Sequence, residues 1–147
     1  MFNTLYNRII FVLSIIGIII AVYVFQSFIR QAPIVCVNSG CELVRKNPAS
    51  YLFGIPVPAF GLVGYTLLAI LSFFQTLHLQ PTTHITTIML CIAACGVLFV
   101  SWFTYTELFV IKAICTWCAI SGVNMLTIFV FTLISYKNSQ TTRQEKK

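Results

Sequence analysis

Residues 113–136 read AICTWCAISGVNMLTIFVFTLISY, an apolar run without Asp, Glu, Lys or Arg that opens on a Cys-x-x-Cys pair. A bilayer core is crossed by about 20 consecutive apolar residues in helical form, so this run is long enough to span. Three runs of the same kind precede it, at 9–28 (IIFVLSIIGIIIAVYVFQSF), 57–77 (VPAFGLVGYTLLAILSFFQTL) and 85–106 (ITTIMLCIAACGVLFVSWFTYT). No strand-like alternation runs through them, and helix is then the form that satisfies their backbones in lipid. The fold class is therefore all-α integral membrane: a four-transmembrane-helix bundle with a cysteine-containing exterior loop and a short capping segment between the first two helices.

Composition agrees. The chain has 147 residues, 59% hydrophobic and 8% charged, with a mean hydropathy of +0.93, whereas soluble domains carry about 25% charged residues. The net charge of +6 does not point to nucleic acid, because the basic residues are thinly spread and flank the apolar runs. The first run exceeds the apolar core of a signal peptide, and no A-x-A-like site precedes Cys36, so it is read as a span. Residues 1–136 are expected to form one membrane domain and 137–147 a polar, disordered cytoplasmic tail. No internal repeat or second domain is visible.

Four spans return both termini to one side. Arg8, Lys137, Arg143, Lys146 and Lys147 fall on that side, and Arg30, Arg45, Lys46 and Lys112 on the other. With the amino terminus added, the balance puts the termini in the cytoplasm. The 29–56 loop and the 107–112 turn then face outward and the 78–84 connection inward. The 107–112 link contains no Gly or Pro, which predicts a tight antiparallel pairing of the last two spans. Cys36 and Cys41 in the loop thus share a compartment with Cys115 and Cys118, whichever way the protein is inserted.

Each cysteine pair has a bland reading beside a chemical one. Cys115 and Cys118 are predicted in the first turn of the last span, where the helix N-terminus, with Lys112 upstream, favours a thiolate. Plain packing, or half of a zinc site, would also use two such residues. Zinc would need two more ligands, and both His residues fall on the opposite face, so no metal is expected. Cys36 and Cys41 flank Asn38, Ser39 and Gly40, a turn-forming trio that can close a disulfide ring. A structural staple and a redox pair fit that spacing equally well. A second pair on the same side favours a relay, with electrons entering at the loop and leaving at the membrane. Cys91 and Cys95 fall mid-span beside Ala94 and Gly96, and are expected to pack against a neighbouring helix.

Phe53, Phe60, Tyr65, Trp102, Tyr105 and Trp117 could line a ring-shaped apolar pocket beneath the loop. An interfacial aromatic belt is the competing reading for Trp102 and Tyr105. Pro48, Pro56 and Pro58 stiffen the segment that would cap the pocket. Asn124, below Cys118, is expected to make an interhelical hydrogen bond.

Taken together, Cys36-x4-Cys41, Glu42-Leu43-Val44, Phe53-Gly54-Ile55-Pro56, Phe60-Gly61, Tyr65 and the Cys-x-x-Cys resemble the vitamin K epoxide reductase family, in particular its bacterial stand-alone members. The resemblance runs from about Cys36 to Cys118. It implies a four-helix membrane oxidoreductase that passes electrons from a thioredoxin-fold protein through the loop cysteines to the Cys-x-x-Cys pair and on to a quinone. By resemblance, Cys118 is the cysteine next to the quinone and Cys115 its resolving partner. Cys41 attacks the Cys115–Cys118 disulfide, and Cys36 faces the soluble partner. The chain departs from the family pattern at Asn47, where Ser or Thr is usual; Asn can still donate a hydrogen bond.

The expectation is thus a quinone-dependent thiol–disulfide oxidoreductase of the bacterial inner membrane, with its active site facing the periplasm. Cys36, Cys41, Cys115 and Cys118 would carry the catalysis. Asn47, Phe53, Phe60, Tyr65 and Trp117 would bind ubiquinone or menaquinone. The 147 residues include no thioredoxin-like segment, so the periplasmic partner is expected to be a separate protein. Two other readings compete: a transmembrane electron conduit through Cys91 and Cys95, and a non-enzymatic helix-bundle subunit stapled by Cys36–Cys41.

Overall fold

The first apolar run forms α1, Phe2–Arg30. It stops where Gln31 turns left-handed (φ 52°), the usual conformation just past a helix end, with Pro33 unable to continue it. Thereafter the chain builds a cap. The computed structural model describes residues 2–37, 40–77 and 83–145; Asn38, Ser39 and most of the expected 78–84 connection fall outside them. The cap holds a short helix α2, Gly40–Lys46, one 3-10 turn, Pro48–Ser50, and a hairpin of β1, Tyr51–Leu52, with β2, Ile55–Pro56. Tyr51 pairs with Pro56 and Leu52 with Ile55. The two residues between, Phe53 and Gly54, both have positive φ (53° and 82°), the conformation of a two-residue turn that matches the strand twist.

The remaining spans are α3, Val57–Leu77, α4, Thr83–Thr106, and α5, Thr116–Glu145. Four helices are long and apolar enough to cross a membrane. Side chains such as Ile19, Leu67, Leu98 and Val123 point outward, where lipid would lie. The buried centre is Ile10, Tyr65, Leu68, Met89, Met125 and Ile128.

Because lipid is as apolar as the helix surfaces, association depends on close packing and on polar pairs between helices. Ser72 on α3 donates to the Asn7 carbonyl of α1 at 2.6 Å. Gln75 donates to Thr86 across α3 and α4 at 2.6 Å. Asn124 on α5 donates to the Leu13 carbonyl of α1 at 3.0 Å, the interhelical bond expected of it. Tyr65 joins three helices: its ring lies against Gly17 of α1, and its hydroxyl donates to the Ser121 carbonyl of α5 at 2.8 Å.

Two expectations about the last span need correction. It begins at Thr116 rather than 113, because Lys112 turns left-handed and 113–115 adopt no helical structure. The tail expected to be disordered instead prolongs α5 to Glu145. No Gly or Pro interrupts it after Tyr136, so the helix propagates at the low cost of adding one bond per residue.

Replacing Gly17 with Ile should destabilise the bundle, since any Cβ there overlaps the Tyr65 ring. Overpacking of this kind costs about 1–3 kcal/mol, readable as a lower midpoint in thermal or denaturant unfolding in micelles.

Candidate functional site

Where α4 ends, the chain does not break into a plain loop. Residues Glu107–Ile111 continue as a single π-helical turn, closed by Lys112 in the left-handed region (φ 55°). Such a turn carries one extra residue per bond, and it occurs frequently at functional sites. The Glu107 carbonyl accepts from both Lys112 and Ala113, the latter at 3.1 Å. This folds the link 113–115 back over the turn. Cys115 therefore precedes α5 rather than lying in its first turn. Its carbonyl accepts from Ala119 at 3.0 Å, which makes it the capping residue of the helix.

From the other side, α2 delivers Cys41. Cys36 and Cys41 form a disulfide with a Cα separation of 6.3 Å, while Cys115 and Cys118 are free thiols. The Cys115 Sγ lies 3.3 Å from the Cys41 Sγ. Cys41 sits in α2 of the cap yet is buried: it is 1% exposed, and Cys115 is 2% exposed. Both belong to a dry cluster with Val44, Val57, Phe103 and Ala113.

Several contacts hold the cap in this register. Trp117 donates its indole N–H to the Val35 carbonyl at 2.9 Å, one residue before Cys36. Its ring lies 5.1 Å from Tyr23 of α1. Buried Arg45 reaches the Gln31 carboxamide at 2.8 Å and forks onto Glu42. The Arg45 guanidinium beside Glu42, helped by Lys46, holds that carboxyl below the usual carboxylate range. Ser50 donates to the Val44 carbonyl at 2.5 Å. Gly40 leaves no room for a side chain, because a Cβ would collide with the Ile114 carbonyl.

Below the sulfurs a cavity of about 490 Å³ opens between α1, α3, α4 and α5. This volume falls within the roughly 300–1,000 Å³ of small-molecule sites. Its lining is apolar, and Cys41, Cys115 and Cys118 form part of its wall. Of the residues expected to bind a cofactor, Phe60, Tyr65 and Trp117 line it. Asn47 and Phe53 do not. The Asn47 carboxamide accepts from the Ala49 N–H at 2.9 Å, capping the 3-10 turn in the role a Ser or Thr could also fill. Phe53 is 96% exposed at the hairpin tip, since a two-residue turn projects its central side chains away from the bundle. Trp102 and Tyr105 also lie outside the cavity, exposed on α4.

Cys91 and Cys95 correct another expectation. They are exposed on α4 and line the cavity rather than packing into a helix interface. Gly96, their neighbour, does pack, against Met125 of α5. Opposite them, a Cβ added to Gly61 or Gly64 of α3 would meet nothing within 4 Å, which leaves that side of the cavity wide.

One buried functional group escaped the sequence reading. Glu107 is 2% exposed, and its carboxylate and the two thiol sulfurs of Cys115 and Cys118 lie within 4.8 Å of one another. A structural zinc takes four protein ligands, and this group stops at three among the described residues. The available signal was the scarcity of acids: the chain has three, and this one directly follows an apolar span.

The site belongs to a recognisable class, a helical membrane protein in which a loop disulfide abuts a vicinal dithiol over an apolar cavity. The comparison with known families agrees. The model of the vitamin K epoxide reductase family matches residues 8–133, most of the chain, and the protein belongs to that family. It is accordingly a membrane thiol–disulfide oxidoreductase. A comparison with curated proteins found no match.

Two predictions follow from this geometry. Gly40→Val should push Cys41 off Cys115 and cut the yield of the Cys41–Cys115 mixed disulfide, trapped in a Cys36→Ala, Cys118→Ala background, by about tenfold, equivalent to 1.4 kcal/mol. The hydrogen bond from Cys118 lowers the Cys115 pKa against the opposing effect of burial. Its thiolate thus persists to lower pH than an ordinary thiol, and Cys118→Ala should move the midpoint of Cys115 alkylation upward in pH.

Proposed function

We propose that this protein is a quinone-coupled thiol oxidoreductase that reoxidises a periplasmic thioredoxin-fold protein, with both termini in the cytoplasm. The observation that carries the reading is the 3.3 Å approach of Cys115 Sγ to Cys41 Sγ at the roof of the apolar cavity. Sulfurs in van der Waals contact can exchange bonds without a large movement of the backbone.

The partner's thiolate attacks the Cys36–Cys41 disulfide at Cys36 and releases Cys41. Cys41 then attacks Cys115, the Cys115–Cys118 bond breaks, and Cys118 leaves as a thiolate. Cys36, freed by the partner's second thiol, attacks Cys41; the loop disulfide re-forms and Cys115 is released. The observed pairing, loop disulfide beside free dithiol, corresponds to this stage, with the electron pair on the inner cysteines. The ring-lined, apolar cavity fits a quinone head group and an isoprenoid tail, with Phe60, Tyr65 and Trp117 as its walls. A quinone held there would supply the two-electron, two-proton oxidation that closing Cys115–Cys118 requires. Cys118 is the thiol assigned to that transfer, because the Cys115 sulfur is directed at Cys41.

In reconstituted protein given a reduced thioredoxin-fold donor, Cys118→Ala should lower quinone reduction to the uncatalysed background; full turnover in that variant would sink the mechanism. A Cys91→Ala, Cys95→Ala double variant should keep turning over at saturating quinone, with any change confined to KM, whereas complete loss of turnover would favour the conduit reading. For sidedness, an impermeant maleimide applied to spheroplasts after mild reduction should label Cys36, and labelling from the cytoplasmic side alone would invert the assigned topology.

A further inference from the structure

A carboxyl group inside a membrane protein is costly, and it is by default a functional group. Of the three acids in the chain, Glu42 is paired with Arg45 and Lys46 on the cap, and Glu145 ends α5. Glu107 has neither arrangement. No salt bridge reaches it among the described residues, and its Oε1 is buried without a hydrogen-bond partner. A buried polar atom left unmatched costs about 1–3 kcal/mol, so its retention calls for a reason beyond packing. Its polar neighbours are the Cys118 thiol and the Cys115 amide. The π-helical turn is what aims it there, by rotating the end of α4 toward the head of α5.

We propose that Glu107 is the proton-transfer group of the inner dithiol, taking the Cys118 proton and passing it toward the cavity. The proposal rests on the quinone-coupled reading above and adds the proton path to it. Closing Cys115–Cys118 releases two electrons and two protons from the thiols, and the quinone is the acceptor of both. In the step assigned to Glu107, the Cys118 S–H bond breaks and an O–H bond forms on the carboxylate; the carboxyl then gives that proton up toward the cavity, where a bound quinone would be its final acceptor. Glu107 ends unchanged. The titratable groups facing it are Cys115 and Cys118; on α2, the cap helix above this turn, Glu42, Arg45 and Lys46 pair among themselves.

The test uses the full chain in nanodiscs, with dithiothreitol as reductant and decylubiquinone as acceptor. Wild-type turnover examines the quinone-coupled reading itself, and its failure there would be separate from any failure at Glu107. Glu107→Gln keeps the shape and the hydrogen-bonding capacity but cannot accept the proton. General acid–base groups contribute about 10²–10⁴-fold, so kcat should fall at least about 100-fold with KM little changed. The acid limb of the kcat–pH profile should disappear, because activity would no longer depend on ionising Glu107. The Cys41–Cys115 mixed disulfide, formed before any proton reaches the quinone, should still be trapped at the wild-type level.

Turnover within about threefold of wild type, with the acid limb intact, would overturn the proposal. So would a parallel loss of turnover and of mixed-disulfide trapping, which would mark Glu107 as a structural prop. If Glu107→Gln does not assemble, Glu107→Asp decides: reduced kcat with the acid limb retained supports proton transfer, and wild-type kcat without the limb refutes it.

Discussion

Two sulfur atoms, Cys41 Sγ and Cys115 Sγ, meet at 3.3 Å, and the rest of the architecture can be understood as what is needed to bring them together. One comes from a cap outside the bundle and the other from the entrance of the last span. Neither element is long: α2 has seven residues, and 112–115 is a short non-helical link. Their positions are set by contacts to the bundle, namely Trp117 to the Val35 carbonyl, Arg45 to Gln31, and the side-chain-free approach of Gly40 to Ile114. Thiol–disulfide exchange needs an attacking sulfur with direct access to its target. The cap contacts supply that access without exposing the pair to water.

Burial has a second consequence. Cys41, Cys115 and the cavity below them share one apolar environment. A hydrophobic electron acceptor can reach the inner pair there while a soluble protein cannot. The soluble side meets Cys36, which is half-buried. The two pairs thus differ in accessibility, and in the proposed relay this difference would set the order. Tyr65 is satisfied by Ser121, whereas Glu107 keeps an unmatched oxygen beside the dithiol.

Much of this was legible in the chain. Apolar length alone identified four spans, since lipid offers the backbone no other partner than helix. The sharing of one side by both working pairs followed from counting spans, and the Cys41–Cys115 contact agrees with it. The role expected of Asn124 also held, because a buried amide in lipid must find a partner. Less legible were residues whose side chains are aimed by backbone conformations that a linear pattern does not reveal. Phe53 looked like a pocket residue by its aromatic character, yet the positive φ of both turn residues carries it outward. Asn47 proved to be a cap. Cys91 and Cys95 looked like packing residues by their size, yet the gap between α3 and α4 leaves them on a cavity wall.

What the sequence by itself determined, then, was the thiol–disulfide chemistry and the membrane setting it was first read for: helical spans from apolar length, and two cysteine pairs on one side from span parity. Tertiary structure alone decided which sulfur meets which and what else stands beside them. Cys115 faces Cys41, and Glu107 faces both inner thiols, only because a π-helical turn and a left-handed Lys112 fold the chain back between α4 and α5. Those are local backbone choices made under packing, at residues whose types do not announce them.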